Sequence, residues 1–126
     1  MTLEVLAKQR EDALTVRSTL DAMPKETQIE KMCKVFQLLA DPVRLKIVSA
    51  LLQGDMCVGF LTEVCGVSQS GVSHQLRVLR DNNIVRCKRL GQRVEYSIAD
   101  EHIREIVEMS KAHLHCANGE GVWGVR

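Results

Sequence analysis

The feature that most constrains the fold is a pair of short amphipathic helical patterns with a glycine turn between them. The first lies near residues 57–65, and a Gly-Val pair at 66–67 breaks it. The second runs from Ser68, a residue type typical of an N-cap, to about residue 82. Within it, Val72, Leu76 and Leu79 fall on one side at spacings of four and three residues. Two helices joined by a tight turn containing glycine predict a helix-turn-helix.

The opposite side of the second helix carries polar side chains of the types that contact DNA. They are Ser68, Gln69, Ser70, Ser73, His74 and Arg77. A helix fits the major groove, where such side chains hydrogen-bond base edges and phosphates. A polar face is also the ordinary solvated side of a surface helix, so this helix alone leaves both interpretations open.

Two β-prone runs follow at residues 84–90 and 93–98, and Gly91 and Gln92 between them predict a hairpin. The hairpin supplies four further candidate DNA contacts, Lys88, Arg89, Gln92 and Arg93. The whole chain has a net charge of only +1, but residues 68–96 hold 6 basic and 2 acidic side chains. This local excess of positive charge favours double-stranded DNA as a partner. Because one such module contacts few base pairs, we expect a homodimer on a pseudo-palindromic site.

The rest of the chain predicts helices around one core, which is what 126 residues can build. A helix over residues 28–40 is expected to bury Ile29, Met32, Cys33, Phe36 and Leu39 or Ala40. A helix over residues 42–53, capped by Asp41, is expected to bury Val43, Leu45, Ile47, Val48, Leu51 and Leu52. A last helix, capped by Asp100, covers residues 101–116. We therefore expect a mainly α fold with a β-hairpin wing, arranged as a helical arm (1–27), a winged helix-turn-helix DNA-binding and dimerisation domain (28–116) and a flexible tail (117–126).

Several classes of protein are disfavoured. No apolar run approaches the roughly 20 residues of a membrane span, and the charged N-terminus does not resemble a secretory signal, so we expect a cytoplasmic protein without a membrane partner. The 5 cysteines are odd in number and form no CxxC pair, which suits free thiols in a reducing compartment. Because no phosphate-binding glycine loop or nucleophile motif is present, we do not expect an enzyme.

The chain resembles the ArsR/SmtB family of winged helix-turn-helix metal-sensing repressors, and within it the CadC/SmtB-like branch. The resemblance covers roughly residues 30–116 and rests on LLADPVRLKIVSALL, MCVGFL, VSQSGVSHQLRVLRDNNIVRCKRLGQRVEYSI and DEHIREIVEMSKAHLHC. It implies a recognition helix at residues 68–82, a wing at residues 84–98 and a dimer interface that includes the last helix. It further implies a repressor that binds operator DNA metal-free, is released on binding Zn(II) or Cd(II), and controls metal efflux or resistance genes.

The last helix carries a candidate metal site made of Asp100, His102, His113 and Cys116. His102 and His113 are eleven residues apart, about 16 Å along a helix axis, which is too far for one ion bound at about 2.0–2.3 Å. Two antiparallel copies of the helix would bring Asp100 and His102 of one chain to His113 and Cys116 of the other. From periodicity alone, the two histidines are equally well explained as surface residues.

The resemblance favours the ligand interpretation of these four residues. Last-helix sites of the family use Asp, His, His and a fourth ligand that is commonly Glu or His, and here Cys116 stands in that place. A thiolate keeps zinc as the expected metal and raises the expectation for cadmium. His115 is a weaker alternative ligand.

The second metal site of the family is incomplete in this chain. DMCVGFL supplies Cys57, but Gly59 occupies the second cysteine position, and the N-terminal arm has no cysteine or histidine. Cys57 is therefore a possible secondary thiol with a metal or redox role, and the other three cysteines, Cys33, Cys65 and Cys87, are expected to pack in the core.

Two alternative functions remain open. A thiol- or persulfide-responsive repressor of the same fold would use Cys116, although Ser49 stands in the stretch where that branch has its second cysteine. A metal-buffering protein would explain the ligands but not the recognition helix and the basic hairpin.

Overall fold

The structure, a computed structural model, describes residues 2–116, so the expected flexible tail at residues 117–126 lies outside the described part. In chain order the elements are α1 (Leu3–Ala13), α2 (Val16–Ala22), α3 (Glu26–Leu39), α4 (Pro42–Leu51), α5 (Val58–Cys65), α6 (Gln69–Asp81), β1 (Val85–Leu90), β2 (Arg93–Ile98) and α7 (Glu101–His115). Contacts divide the chain into two compact units, one ending at Phe36 and the other beginning at Gln37.

The first unit is helical and buries little. A reciprocal capping box between Thr15 and Ser18 begins α2, in which no residue is buried. The amphipathic pattern of α3 correctly predicted a helix but not its buried face. Met32, Cys33 and Phe36 are exposed on that face, because so short a segment provides no core to cover them.

The second unit contains the core, built from α4, α5 and α6. Asp41 caps α4 by accepting a hydrogen bond from the Arg44 amide at 3.0 Å, and Pro42 occupies the first turn. Ile47 in α4 is fully buried, as are Leu61 in α5 and Leu76 in α6. Leu45 in α4 was expected to be buried but is exposed, whereas the expectation of Leu39 or Ala40 at the end of the preceding helix is confirmed by Leu39, which is buried.

The predicted helix-turn-helix is confirmed. The second helix of the pair, α6, has Ser68 as its N-cap, with Oγ accepting a hydrogen bond from the Gly71 amide at 3.1 Å. The preceding helix, α5, ends at Gly66, whose left-handed φ of 68° turns the chain. A Cβ on Gly71, in the first turn of α6, would lie 3.0 Å from Val67 Cγ1 and 3.1 Å from Ser68 Oγ, so a larger residue would require these side chains to shift. The predicted apolar side of α6 is fully buried, with Val72, Leu76 and Leu79 at 0% exposure.

The wing is also confirmed. Strands β1 and β2 pair antiparallel from Val85 opposite Ile98 to Leu90 opposite Arg93, and Gly91 adopts a φ of 64° in the turn. Met56, just before α5, adds a bridge to the wing through two backbone hydrogen bonds with Tyr96, at 2.8 and 3.1 Å. The wing is thereby joined to the start of the helix-turn-helix.

Two of the three cysteines expected in the core are not there. Cys65 is buried as predicted, but Cys33 and Cys87 are exposed. In β1 only Val85 is buried, because a two-stranded hairpin leaves most of its side chains in solvent. In residues 2–116, no helix has the length and apolar content needed to cross a membrane.

Candidate DNA-contacting surface and metal centre

The polar side of α6 forms one exposed surface. The predicted contacts on this helix and its cap are all exposed, namely Ser68, Gln69, Ser70, Ser73, His74 and Arg77. With the opposite side of α6 fixed in the core, these side chains have a defined direction. The exposed side of α6 can therefore enter a DNA groove without disturbing the packing of its buried side.

The wing extends this surface with positive charge. Its four predicted contacts, Lys88, Arg89, Gln92 and Arg93, are exposed. Arg86, which is not among the predicted contacts, is exposed as well, and by strand alternation it shares a face with Lys88. That alternation is the sequence signal that identifies it. Glu95 lies opposite Lys88 in the register and offsets part of its charge.

Cys57 lies where the wing meets the helix-turn-helix. It precedes α5 as the N-cap residue without a capping hydrogen bond from its side chain. The nearby Phe60 amide, and then the Arg93 side chain, lower the pKa of the thiol, against the opposing effect of desolvation. In contrast, burial raises the pKa of Cys65. The predicted secondary thiol therefore has a lowered pKa and lies close to Arg93, a candidate DNA-contacting residue.

Asp100 and His102 lie together at the start of α7. Asp100 Oδ1 caps the helix by accepting hydrogen bonds from the amides of His102, at 2.9 Å, and Ile103, at 3.4 Å. The same oxygen is 3.4 Å from His102 Nδ1. Both side chains are largely in solvent, at 51% and 84% exposure. Asp100 is thus the N-cap of α7 as well as a candidate metal ligand.

His113 and Cys116 lie together at the other end of the helix. Cys116 keeps helical dihedral angles, and its amide donates to the carbonyls of Ala112 and His113. The two candidate ligands are thus one helical turn apart, which places their Cβ atoms about 5–6 Å from each other. His113 is exposed and Cys116 is half-buried. His115 is exposed on the last turn, and its role as a ligand stays a prediction.

The two pairs do not meet within one chain. Throughout residues 2–116, no group of three His, Cys, Asp or Glu side chains is placed to hold a metal. Each pair supplies two donors, and together they form an O, N, N, S set that suits Zn(II) or Cd(II). The donor chemistry fits a tetrahedral site, provided that a second chain completes it.

Comparisons with known proteins identify the family. A profile of the bacterial regulatory proteins of the arsR family matches residues 41–86. Over 87 residues the chain is 42% identical to the "transcriptional repressor SmtB homolog" of Synechocystis sp., covering 69% of this chain and 66% of that protein. Over 85 residues it is 39% identical to the "cadmium resistance transcriptional regulatory protein CadC homolog" of Staphylococcus aureus, covering 67% and 69%. The chain belongs to the ArsR family.

A solved structure agrees with this assignment. The AntR antimony-specific transcriptional repressor matches this ArsR-family chain with a TM-score of 0.71 and 25% identity, over 85% of this chain and 99% of that one. The predicted family and the winged helix-turn-helix fold are therefore confirmed. This ArsR-family protein is a DNA-binding transcriptional regulator and not an enzyme.

Proposed function

We propose that this ArsR-family regulator is a homodimeric repressor that binds operator DNA when metal-free and is released when Zn(II) or Cd(II) occupies two sites between its last helices. Its targets are genes of metal efflux or resistance, and it acts in the cytoplasm, where bacterial DNA is located. The observation that carries the proposal is the division of the donors into two pairs at opposite ends of α7. Neither pair completes a tetrahedral site, and a second antiparallel chain supplies what each lacks.

The surface of α7 supports pairing with a second copy. Ile103 and Val107 are buried against the core of their own chain, whereas Met109 and Leu114 are 71% and 62% exposed. These exposed apolar side chains lie toward the end of the helix that carries His113. A symmetric interface between two last helices would cover them and would place each donor pair beside its complement.

The ligand residues would act by fixing the relative position of the two chains. Asp100 and His102 of one protomer and His113 and Cys116 of its partner would hold the ion, and by accepting their lone pairs a bound Zn(II) or Cd(II) would link the two α7 helices. The two α6 helices must lie about one turn of DNA apart to enter successive major grooves. An arrangement of the two chains that fixes a different separation of the α6 helices binds DNA more weakly. Typical coupling free energies between two sites of about 1–3 kcal/mol change affinity about 5–150-fold.

The test is a titration of the purified dimer with a labelled operator duplex, with and without zinc or cadmium. Wild-type protein should lose affinity for DNA when metal is added, whereas His113→Ala should bind the metal-free duplex normally and ignore the metal. Lys111→Ala, a change at another exposed residue of α7, is the control and should respond like wild type. DNA affinity that metal leaves unchanged in the wild-type protein would refute the proposal.

The thiol-responsive alternative makes a different prediction in the same assay. Persulfide or peroxide treatment would have to form a specific crosslink at Cys116 and abolish DNA binding. Ser49 lies in α4 where a partner thiol would be needed, and Pro42–Leu51 contains no cysteine. We therefore favour the metal-responsive function.

A further inference from the structure

The start of α7 is joined to the end of α4 by a hydrogen bond between residues 52 positions apart. Arg104 donates from a terminal guanidinium nitrogen to the Leu52 carbonyl at 3.2 Å. Leu52 is the C-cap of α4, and carbonyls at a helix C-terminus lack intrahelical partners and carry partial negative charge. A guanidinium donor therefore makes a charge-assisted hydrogen bond at this position, stronger than one between neutral groups.

This hydrogen bond lies between the two functional regions. Arg104 belongs to the first turns of α7, just after Asp100 and His102, and α7 packs on β2. On the other side, α4 packs directly against α5 and α6, the two helices of the helix-turn-helix. A cleft of about 380 Å³, lined by the ends of α4 and β2 and the start of α7, adjoins the bond. Arg104 thus connects the end of α4 to the start of α7 beside this cleft.

We propose that Arg104 is a positioning residue that couples the metal-binding start of α7 to the helix-turn-helix through the Leu52 carbonyl. This inference rests on the proposed function, because it assumes that Asp100 and His102 are ligands. Coupling between two sites requires an element whose position both ligands bias. The first turns of α7 meet this requirement, since they hold one donor pair and also reach the end of the helix that supports α6.

The experiment compares three variants of the full-length dimer with wild type. Arg104→Gln removes the charged donor to Leu52. Glu101→Gln removes only the local ion pair, in which Arg104 Nε lies 3.5 Å from Glu101 Oε2. Lys111→Gln removes the same unit of positive charge from an exposed position of α7. The DNA probe is the duplex that metal-free wild-type protein enriches from a randomised pool, and the metal is zinc chloride.

The measured quantity is the ratio of the DNA Kd with zinc to the DNA Kd without zinc. We expect a wild-type ratio in the range of about 5–150, a similar ratio for Glu101→Gln and Lys111→Gln, and a ratio reduced to about a third of wild type or less for Arg104→Gln. Zinc affinity and metal-free DNA affinity should match wild type in all variants. Small decreases in Tm are expected for Arg104→Gln, which loses a hydrogen bond, and for Glu101→Gln, which loses a carboxylate from the first turn of α7. A merely structural role of Arg104 would lower the Tm and leave the ratio unchanged.

Two outcomes contradict different parts of the account. An undiminished ratio in Arg104→Gln overturns the role of Arg104 and leaves the proposed function standing. A ratio of one in wild type overturns the proposed function itself. If Arg104→Gln fails to fold, Arg104→Met provides the test, because it keeps an unbranched apolar stem and loses every hydrogen-bond donor. An undiminished ratio in that variant would likewise overturn the inference. Zinc should also change the hydrogen exchange of residues 51–56 in wild type and not in the Arg104 variants.

Discussion

Asp100 has two functions in this account, as the N-cap of α7 and as a metal ligand, and two substitutions separate them. Asn keeps the side-chain oxygen that caps the helix and loses the carboxylate, whereas Ala loses both. Loss of a cap costs about 0.5–2 kcal/mol. Loss of a charge near a helix N-terminus costs about 0.3–1 kcal/mol, and the 51% exposure of the Asp100 side chain places it near the lower end.

We therefore expect Asp100→Asn to be destabilised by about 0.3 kcal/mol and Asp100→Ala by about 1 kcal/mol or more. For a chain of this size the second value lowers the Tm by roughly 4 °C. Both variants should lose zinc affinity by at least the roughly 10–100-fold that loss of an outer-shell partner costs. Only the stability of the protein distinguishes them.

The assays are thermal unfolding in the presence of a chelator and zinc titration against a competing dye. Glu101→Gln is the control, because it also removes a carboxylate from the first turn of α7 but should leave zinc affinity intact. Wild-type zinc affinity in Asp100→Asn would refute the ligand role. Equal stability of the Asn and Ala variants would refute the capping role.

Three further predictions concern the core, the wing and the Cys57 thiol. Leu76→Ala should destabilise the protein by about 2–5 kcal/mol in urea unfolding, since Leu76 is fully buried. Arg77→Ala should change the stability by no more than about 0.5 kcal/mol and should weaken DNA binding. Equal losses of stability in the two variants would contradict the assigned faces of α6. Arg93→Gln should make the fall of log K for DNA binding with log salt concentration less steep, by about 1.8 in slope, because a dimer carries two copies of Arg93. An unchanged slope in anisotropy titrations would show that Arg93 does not contact DNA. Because its pKa is lowered, folded Cys57 should keep reacting with iodoacetamide at pH values where the same thiol in urea is protonated. Arg93→Gln should move this dependence of the alkylation rate on pH to higher pH. Identical pH dependences for folded and unfolded protein in mass spectrometry would contradict the lowered pKa.

The sequence was sufficient to predict the elements that local chemistry determines. The periodicity of Val72, Leu76 and Leu79 gave the buried side of α6, and three predicted N-caps, Asp41 and Ser68 among them, all accept the expected backbone hydrogen bonds. Such features depend on residues within one turn of each other. They can therefore be derived from short stretches of sequence.

Features that depend on packing between distant segments were not predictable. The pattern of α3 shows an apolar face but not what covers it, so Met32 and Phe36 were wrongly assigned to the core. In the same way, alternation in β1 does not reveal that Cys87 faces solvent. The hydrogen bond from Arg104 to Leu52 joins segments 52 positions apart and follows no local pattern.

The most direct test of the account asks whether two chains share each metal site. One chain carries substitutions of Asp100 and His102, and the other carries substitutions of His113 and Cys116, so that neither homodimer has an intact site. The purified heterodimer should bind one zinc ion with wild-type affinity, since it reunites one pair from each chain. A heterodimer that binds no zinc would contradict a site built between two subunits. So would a homodimer of either substituted chain that still binds zinc.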